Sequence, residues 1–259
     1  MDTPFLDLQH ATLSLALGVA RIGPALLFIS LFGEKTLTSG VLRGVVLALV
    51  SLALLPTFES SAQALSSQPL LVTALKEATI GLIVGFTFGA PYLAALACGE
   101  ILDNQRGATI AKSIDPAAGV EASILAAFMG FLWTVTFALG GGLLRLMETL
   151  AASYRHLPLT ESFSLSLATL TAVSSLLGQA LMAGILAAAP AVVAMLLVEI
   201  LLGVLSRFAP QLSPFSIALT VKSLIACLIL VLYFGGWAFD FFNSLQPAWP
   251  VQRVFPEQP

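Results

Sequence analysis

The sequence predicts an all-α, integral-membrane fold of about six long apolar helices with kinked or broken segments, and three observations carry that reading. Hydrophobic residues make up 58% of the 259 positions and charged residues only 10%, against roughly 25% charged in soluble domains. The mean hydropathy is +0.97. Finally, the apolar residues gather into runs near the ~20 residues that a membrane-crossing helix needs. A water-soluble chain of this size could not hide so much apolar surface, so the surplus requires lipid or the apolar faces of partner subunits.

Six runs are expected: Ala11 to Phe32, Val41 to Phe58, Ala78 to Cys98, Ala122 to Leu144, Val173 to Leu202 and Phe215 to Phe239. The first holds Arg21 followed by Gly23-Pro24, a charge and a breaker that predict a discontinuous helix or helical hairpin facing protein. No Lys or Arg precedes Arg21, whereas a signal peptide needs a positive start, so the first helix is expected to be retained. Pro190 falls inside the fifth run and predicts a kink. Glu59 to Pro69, Asp103 to Glu121 and Ser153 to Ser166 read as polar connectors. Residues 1-245 read as one helical domain and 246-259, with four prolines, as a tail without regular structure.

Small residues recur at helical spacing. Gly81, Gly85 and Gly89 share one face of the third run, Ala122, Ala126 and Gly130 one face of the fourth, and Ala183, Ala187 and Ala191 one face of the fifth. Such stripes let helix backbones approach closely; they fit packing within the chain or against another subunit equally well. Lys and Arg divide four to six between the two sides of the six runs with Arg21 set aside, too even to orient the chain by charge.

Catalytic and metal-binding patterns are missing. His10 and His156 have no ligand neighbours at metal spacing, Cys98 and Cys227 read as structural thiols, and Gly140-Gly141-Gly142 lacks the residues of a phosphate loop and reads as a helix end or bend. No enzyme activity, cofactor or metal is expected, and no basic cluster marks a nucleic-acid partner. The informative residues are charges near apolar runs: Arg21, Lys76, Glu77, Glu100, Asp103, Glu199, Arg207 and Lys222. A charge at the centre of a membrane helix costs about 2.5–3.5 kcal/mol or more, so it pairs or faces water or protein. Structural ion pairs and snorkelling at helix ends are the plain alternative for each. Glu199 and Arg207, eight residues apart, share a helix face but cannot touch. Lys76 and Glu77 stand where the third helix is expected to start. The stretch from Gly99 to Gly107, with Asp115-Pro116 and Gly119 beyond it, could sit in a protein cavity and move, or be an ordinary surface connection.

The stretch Gly99-Glu100-Ile101-Leu102-Asp103-Asn104-Gln105-Arg106-Gly107-Ala108-Thr109, followed by Asp115-Pro116, resembles the FliR/SctT family of type III export-apparatus proteins. So do Gly203-Val204-Leu205-Ser206-Arg207-Phe208-Ala209-Pro210-Gln211 with Ala187, Pro190 and Glu199 before it, the upstream Glu77, Gly81 and Gly85, and Ser153 to Pro158. The wording at Asp103 to Gly107 is closer to the injectisome branch than to the flagellar one. Ser213, Pro214 and Thr220 depart from the family pattern.

That resemblance implies a core subunit of a helical export gate in the bacterial inner membrane, partly above the membrane plane. It implies that the chain helps to form and gate a channel for unfolded secreted proteins. The implied partners are other small membrane subunits, an export-switch protein, polypeptides in transit and membrane lipid. Arg106, Gly107, Thr109, Lys112, Asp115, Pro116 and Glu121 become a plug or gating loop, anchored by Glu100, Asp103, Asn104 and Gln105. Gly81, Gly85, Gly89, Pro190, Glu199, Arg207, Gln211 and Lys222 become helix-packing or partner-contact positions. A small-solute secondary transporter, and a membrane scaffold that gates nothing, are the alternatives.

Overall fold

The structure, a computed structural model, describes residues 4–33, 36–63, 69–108, 123–161, 167–208, 214–234, 240–241 and 244. Among the described residues it is all helical. The helices are α1 (Pro4–Leu27), α2 (Gly40–Gln63), α3 (Leu70–Gln105), α4 (Ile124–Leu139), α5 (Gly142–His156), α6 (Leu167–Phe208) and α7 (Pro214–Phe234), with a 3-10 turn at Ser30–Phe32. Each of the six expected runs falls on a helix, the fourth on the α4–α5 pair.

Three helices, α2, α3 and α6, are long and apolar enough to cross a membrane, and the α4–α5 pair taken together supplies a fourth. The apolar parts of α1 and α7, Thr12–Leu27 and Ile217–Leu232, are shorter. The expected long apolar helices, about six with kinked or broken segments, are thus present, and three or four of them are long enough to span by length and composition.

Several boundaries also move. The helix α1 passes through Gly23-Pro24 and ends at Leu27, so no break occurs there. Proline removes one backbone hydrogen bond, but membrane-type helices tolerate it where neighbouring groups take up the freed carbonyl. Pro56, Pro91 and Pro190 are likewise carried inside α2, α3 and α6. Glu59 to Gln63 extend α2, and Ser153 to His156 complete α5, where connectors were expected. The third helix starts at Leu70 and runs to Gln105, and it carries Lys76, Glu77 and Asp103 within it because partners described below neutralise those charges. At the triple glycine, Gly141 takes φ +75, a left-handed conformation open to glycine at no steric cost, and the helical run is interrupted there.

The chain divides into two compact units. The first comprises Met1–Ala90, Gly141–Leu177 and Gln246–Pro259, and the second Pro91–Gly140 and Gly178–Leu245. In the first unit α1 packs on α2 and lies along the glycine stripe of α3. A methyl group on Gly81 would strike the carbonyl oxygen of Arg21, one on Gly85 the backbone of Ala25, and one on Gly89 would come 2.8 Å from the carbonyl oxygen of Phe28. In the second unit Gly99 on α3 meets the backbone of Ala126 on α4, Gly130 meets Leu96 and Tyr92, and Gly184 on α6 meets the backbone of Ala94. These small residues therefore serve packing within the chain.

Other faces stay uncovered. Only 17% of the apolar window of α2 and of α6 is buried, against 61% for α3. Val41, Leu49, Leu167, Ile200, Leu201 and Phe208 are each at least 60% exposed.

Gly85→Leu forces a side chain into the backbone of α1 and is expected to destabilise the chain by about 1–3 kcal/mol or more. Gly203→Ala is the control, because a methyl group there meets no atom within 4 Å. Thermal unfolding in mild detergent should separate the two, with only Gly85→Leu lowering the midpoint.

Candidate functional site

Asp103 organises the end of α3. It is 1% exposed, in the last turn of a helix that packs against α4 through Gly99, one turn earlier on the same face. Its Oδ1 accepts from Arg106 Nε at 2.6 Å. Its Oδ2 accepts from the Ser123 hydroxyl and, at 3.0 Å, from the Leu125 backbone N–H. Ser123 is the N-cap of α4, and its hydroxyl oxygen also accepts from Ala126 N at 3.0 Å.

The carboxylate thus takes one of the orphan N–H groups of a helix start and sits at the positive end of that helix's dipole. A buried anion with a cation and two N–H or O–H donors is fully compensated. Arg106 precedes residues 109–122 and Ser123 follows them, so one side chain holds both ends of that segment. Gly107, at φ +83, turns the chain out of the helix, its N–H donating to Asn104 O at 3.1 Å.

The other anchors behave differently. Glu100 and Asn104 are exposed and Gln105 is half-buried; all three lie inside α3 rather than after it. Thr109, Lys112, Asp115, Pro116 and Glu121 lie outside the described residues, as does Gln211.

A second polar cluster lies in the first unit. Arg21 is fully buried. Its Nε donates to Glu77 Oε2 at 2.6 Å, its Nη1 to Ser153 Oγ at 3.0 Å and its Nη2 to Leu157 O at 2.8 Å. The guanidinium stands 4.1 Å from the centre of the Tyr154 ring, and the Tyr154 hydroxyl donates to Gly18 O at 3.2 Å. Lys76 Nζ sits 3.1 Å from Glu77 Oε1 and donates to the carbonyls of Pro158, Leu159 and Glu161 at 2.9–3.3 Å.

Lys76 and Glu77 therefore stand well inside α3, not at its start, where their fit to the helix dipole would have mattered. None of this cluster was among the residues assigned to gating or packing from the family resemblance. The signal was present: one arginine in an apolar run, and a Lys-Glu pair that no helix end explains.

The third arrangement joins α6 and α7. Lys222, 7% exposed, donates to Glu199 Oε2 at 2.7 Å, and the Glu199 side chain remains 56% exposed. Arg207 is exposed in the last turn of α6 and does not share this bond; Pro190 is exposed on the same helix. Gly81, Gly85 and Gly89 are packing positions, as described.

Residues 12–246 match the family of bacterial export proteins, family 1. The chain belongs to this family. Among its relatives, the surface presentation of antigens protein SpaR of Salmonella typhimurium is 36% identical over 231 residues, 89% of this chain and 86% of that protein. The Yop proteins translocation protein T of Yersinia pestis is 29% identical over 87% of each chain. The flagellar biosynthetic protein FliR of Escherichia coli is 30% identical over 72% of this chain and 71% of its own length. The longer and stronger match to SpaR places this family member on the injectisome side, in agreement with the resemblance read from Asp103 to Gly107.

In this export-family chain, Arg21→Met leaves the Glu77 carboxylate buried without its main partner. Breaking one side of a buried pair costs about 3–5 kcal/mol, whereas replacing both sides with apolar groups is often near neutral. Arg21→Met and Glu77→Leu are each expected to lower the yield and unfolding midpoint of the detergent-solubilised chain sharply. The double variant should recover more than half of the loss; a double variant as poor as the sum of the singles contradicts the pairing.

Proposed function

We propose that the chain is a core subunit of a bacterial type III export gate that helps to form the channel for unfolded secreted proteins and holds it closed with residues Arg106 to Glu121. The observation that carries this reading is the Asp103 clamp. A functional loop needs ends fixed in space and a middle that can change place. Asp103 holds Arg106 on one side and Ser123 and Leu125 on the other, so one side chain fixes both ends of the proposed plug. The reading assigns no covalent chemistry to any residue.

The dimensions of α6 support placement in an assembly. Its 42 residues make a helix about 63 Å long, while the hydrocarbon core of a bilayer is about 30 Å thick. Even at the ~40° upper end of observed tilts, much of α6 lies outside the hydrocarbon, yet exposed apolar residues run from Leu167 to Phe208. Outside lipid that surface needs protein cover. This fits a multi-pass inner-membrane protein that sits partly above the membrane plane, covered by other small membrane subunits, with an export-switch protein as a further contact. Glu199 and Arg207, exposed on α6, are the polar positions through which such a contact would be oriented.

Deleting several residues between Gly107 and Gly119 is expected to raise ion leakage across the inner membrane while the complex still assembles. Asp103→Ala removes charge-assisted hydrogen bonds of about 1.5–3 kcal/mol, which corresponds to opening roughly 10- to 100-fold more often. Conductance of the assembled complex in planar bilayers or cells measures both. An assembled complex with unchanged leakage in the deletion variant contradicts the plug assignment.

A further inference from the structure

A cavity of about 370 Å³ opens in the first unit between the end of α1 and the start of α2, within the roughly 300–1,000 Å³ range of small-molecule sites. Its walls are Gly23 and Leu26 of α1, Phe32 of the 3-10 turn, Leu37 of the connection, and Arg43 and Leu47 of α2. Gly40 and Gly44, one turn apart on α2, also line it, and a methyl group on either would meet no atom within 4 Å. The missing side chains leave an apolar slot beside one guanidinium.

The place of the slot matters. It lies at the first turn of the membrane-span segment Gly40–Phe58, a segment only 17% buried within the chain. At 1.5 Å per residue Arg43 is about 4.5 Å along that span. That is close enough to the end of a span about as long as the ~30 Å hydrocarbon core for the long Arg43 side chain to reach the headgroup layer by snorkelling. Val41, Val45 and Leu49, at 77%, 48% and 60% exposed, give the surrounding helix surface a lipid-compatible character. The side chain of Arg43 already has a contact, but a guanidinium offers five N–H donors and favours phosphate oxygens.

We propose that this cavity binds one acyl chain of an acidic phospholipid, with the lipid phosphate held by Arg43. The slot takes the chain because, among the described residues, Arg43 is the only lining residue with a polar side chain. The headgroup selects an acidic lipid because a basic residue at the membrane surface favours net-negative headgroups by about fivefold. A zwitterionic lipid presents the same phosphate but cancels its charge. The proposal rests on α2 lying in the bilayer and is independent of the plug assignment for Arg106 to Glu121.

The test uses the full chain within its membrane complex, purified in mild detergent and exposed to equal amounts of phosphatidylglycerol and phosphatidylcholine. Native mass spectrometry then counts bound lipid. The wild type should retain phosphatidylglycerol about fivefold over phosphatidylcholine. Gly44→Leu puts a side chain on the lining at a position where a Cβ meets no atom within 4 Å and raises helix propensity, and it should lower retained phosphatidylglycerol at least fivefold. Arg43→Gln should keep lipid but lose the preference. A wild-type complex that carries no lipid, or shows no preference, overturns the proposal, as does unchanged retention in Gly44→Leu. If Gly44→Leu fails to assemble, the wild-type competition decides alone.

Discussion

The fully buried Arg21 is the constraint on which the first unit depends. A guanidinium cannot shed its proton to escape an apolar interior, so its surroundings must supply a charge and acceptors. Glu77 supplies the charge, Ser153 and Leu157 supply oxygen atoms, and Tyr154 supplies a ring face. These partners come from α3, α5 and the turn after α5. Each is far away in sequence, so satisfying one side chain fixes three segments against α1. The glycine stripe works with the charge: Gly81 lets α3 approach the Arg21 backbone, which brings Glu77, one turn earlier, within bonding distance.

Asp103 applies the same rule with the opposite sign in the second unit. A buried carboxylate collects a cation, a hydroxyl and a helix N–H, and Gly99 supplies the close approach. Both clusters pair one obligatory charge with one missing side chain a turn away. In a chain whose helices gain little from hydrophobic association once in lipid, close backbone packing and satisfied polar groups take over the work of specifying which helices meet. Lys222 and Glu199 differ: the lysine is buried, but the carboxylate keeps more than half of its surface, which is the behaviour of a group at the margin of a contact.

Helix content and the approximate position of every apolar run were legible from composition and run length alone. The limits of α3 were not, because Lys76, Glu77 and Asp103 look like helix ends until their partners are known. The break expected at Gly23-Pro24 is missing for a related reason: local residue preference lost to tertiary packing. The family emerged from Asp103 to Gly107 and Gly203 to Gln211, and the match over residues 12–246 agrees. The same resemblance marked Asp103 but put Glu100, Asn104 and Gln105 beside it as equals; only the helical register separates the buried face from the exposed one. The Arg21 cluster stayed hidden because its members lie 56 to 136 residues apart, a distance that no local pattern reports.

The exposed apolar surfaces of α2 and α6 mark this chain as one part of a larger membrane assembly. The direct measurement is purification of the tagged chain from its host in mild detergent, with co-purifying chains identified and counted by native mass spectrometry. Recovery in one large complex with other small, very apolar membrane proteins is the predicted result. Recovery as a stable monomer or homodimer would contradict the claim.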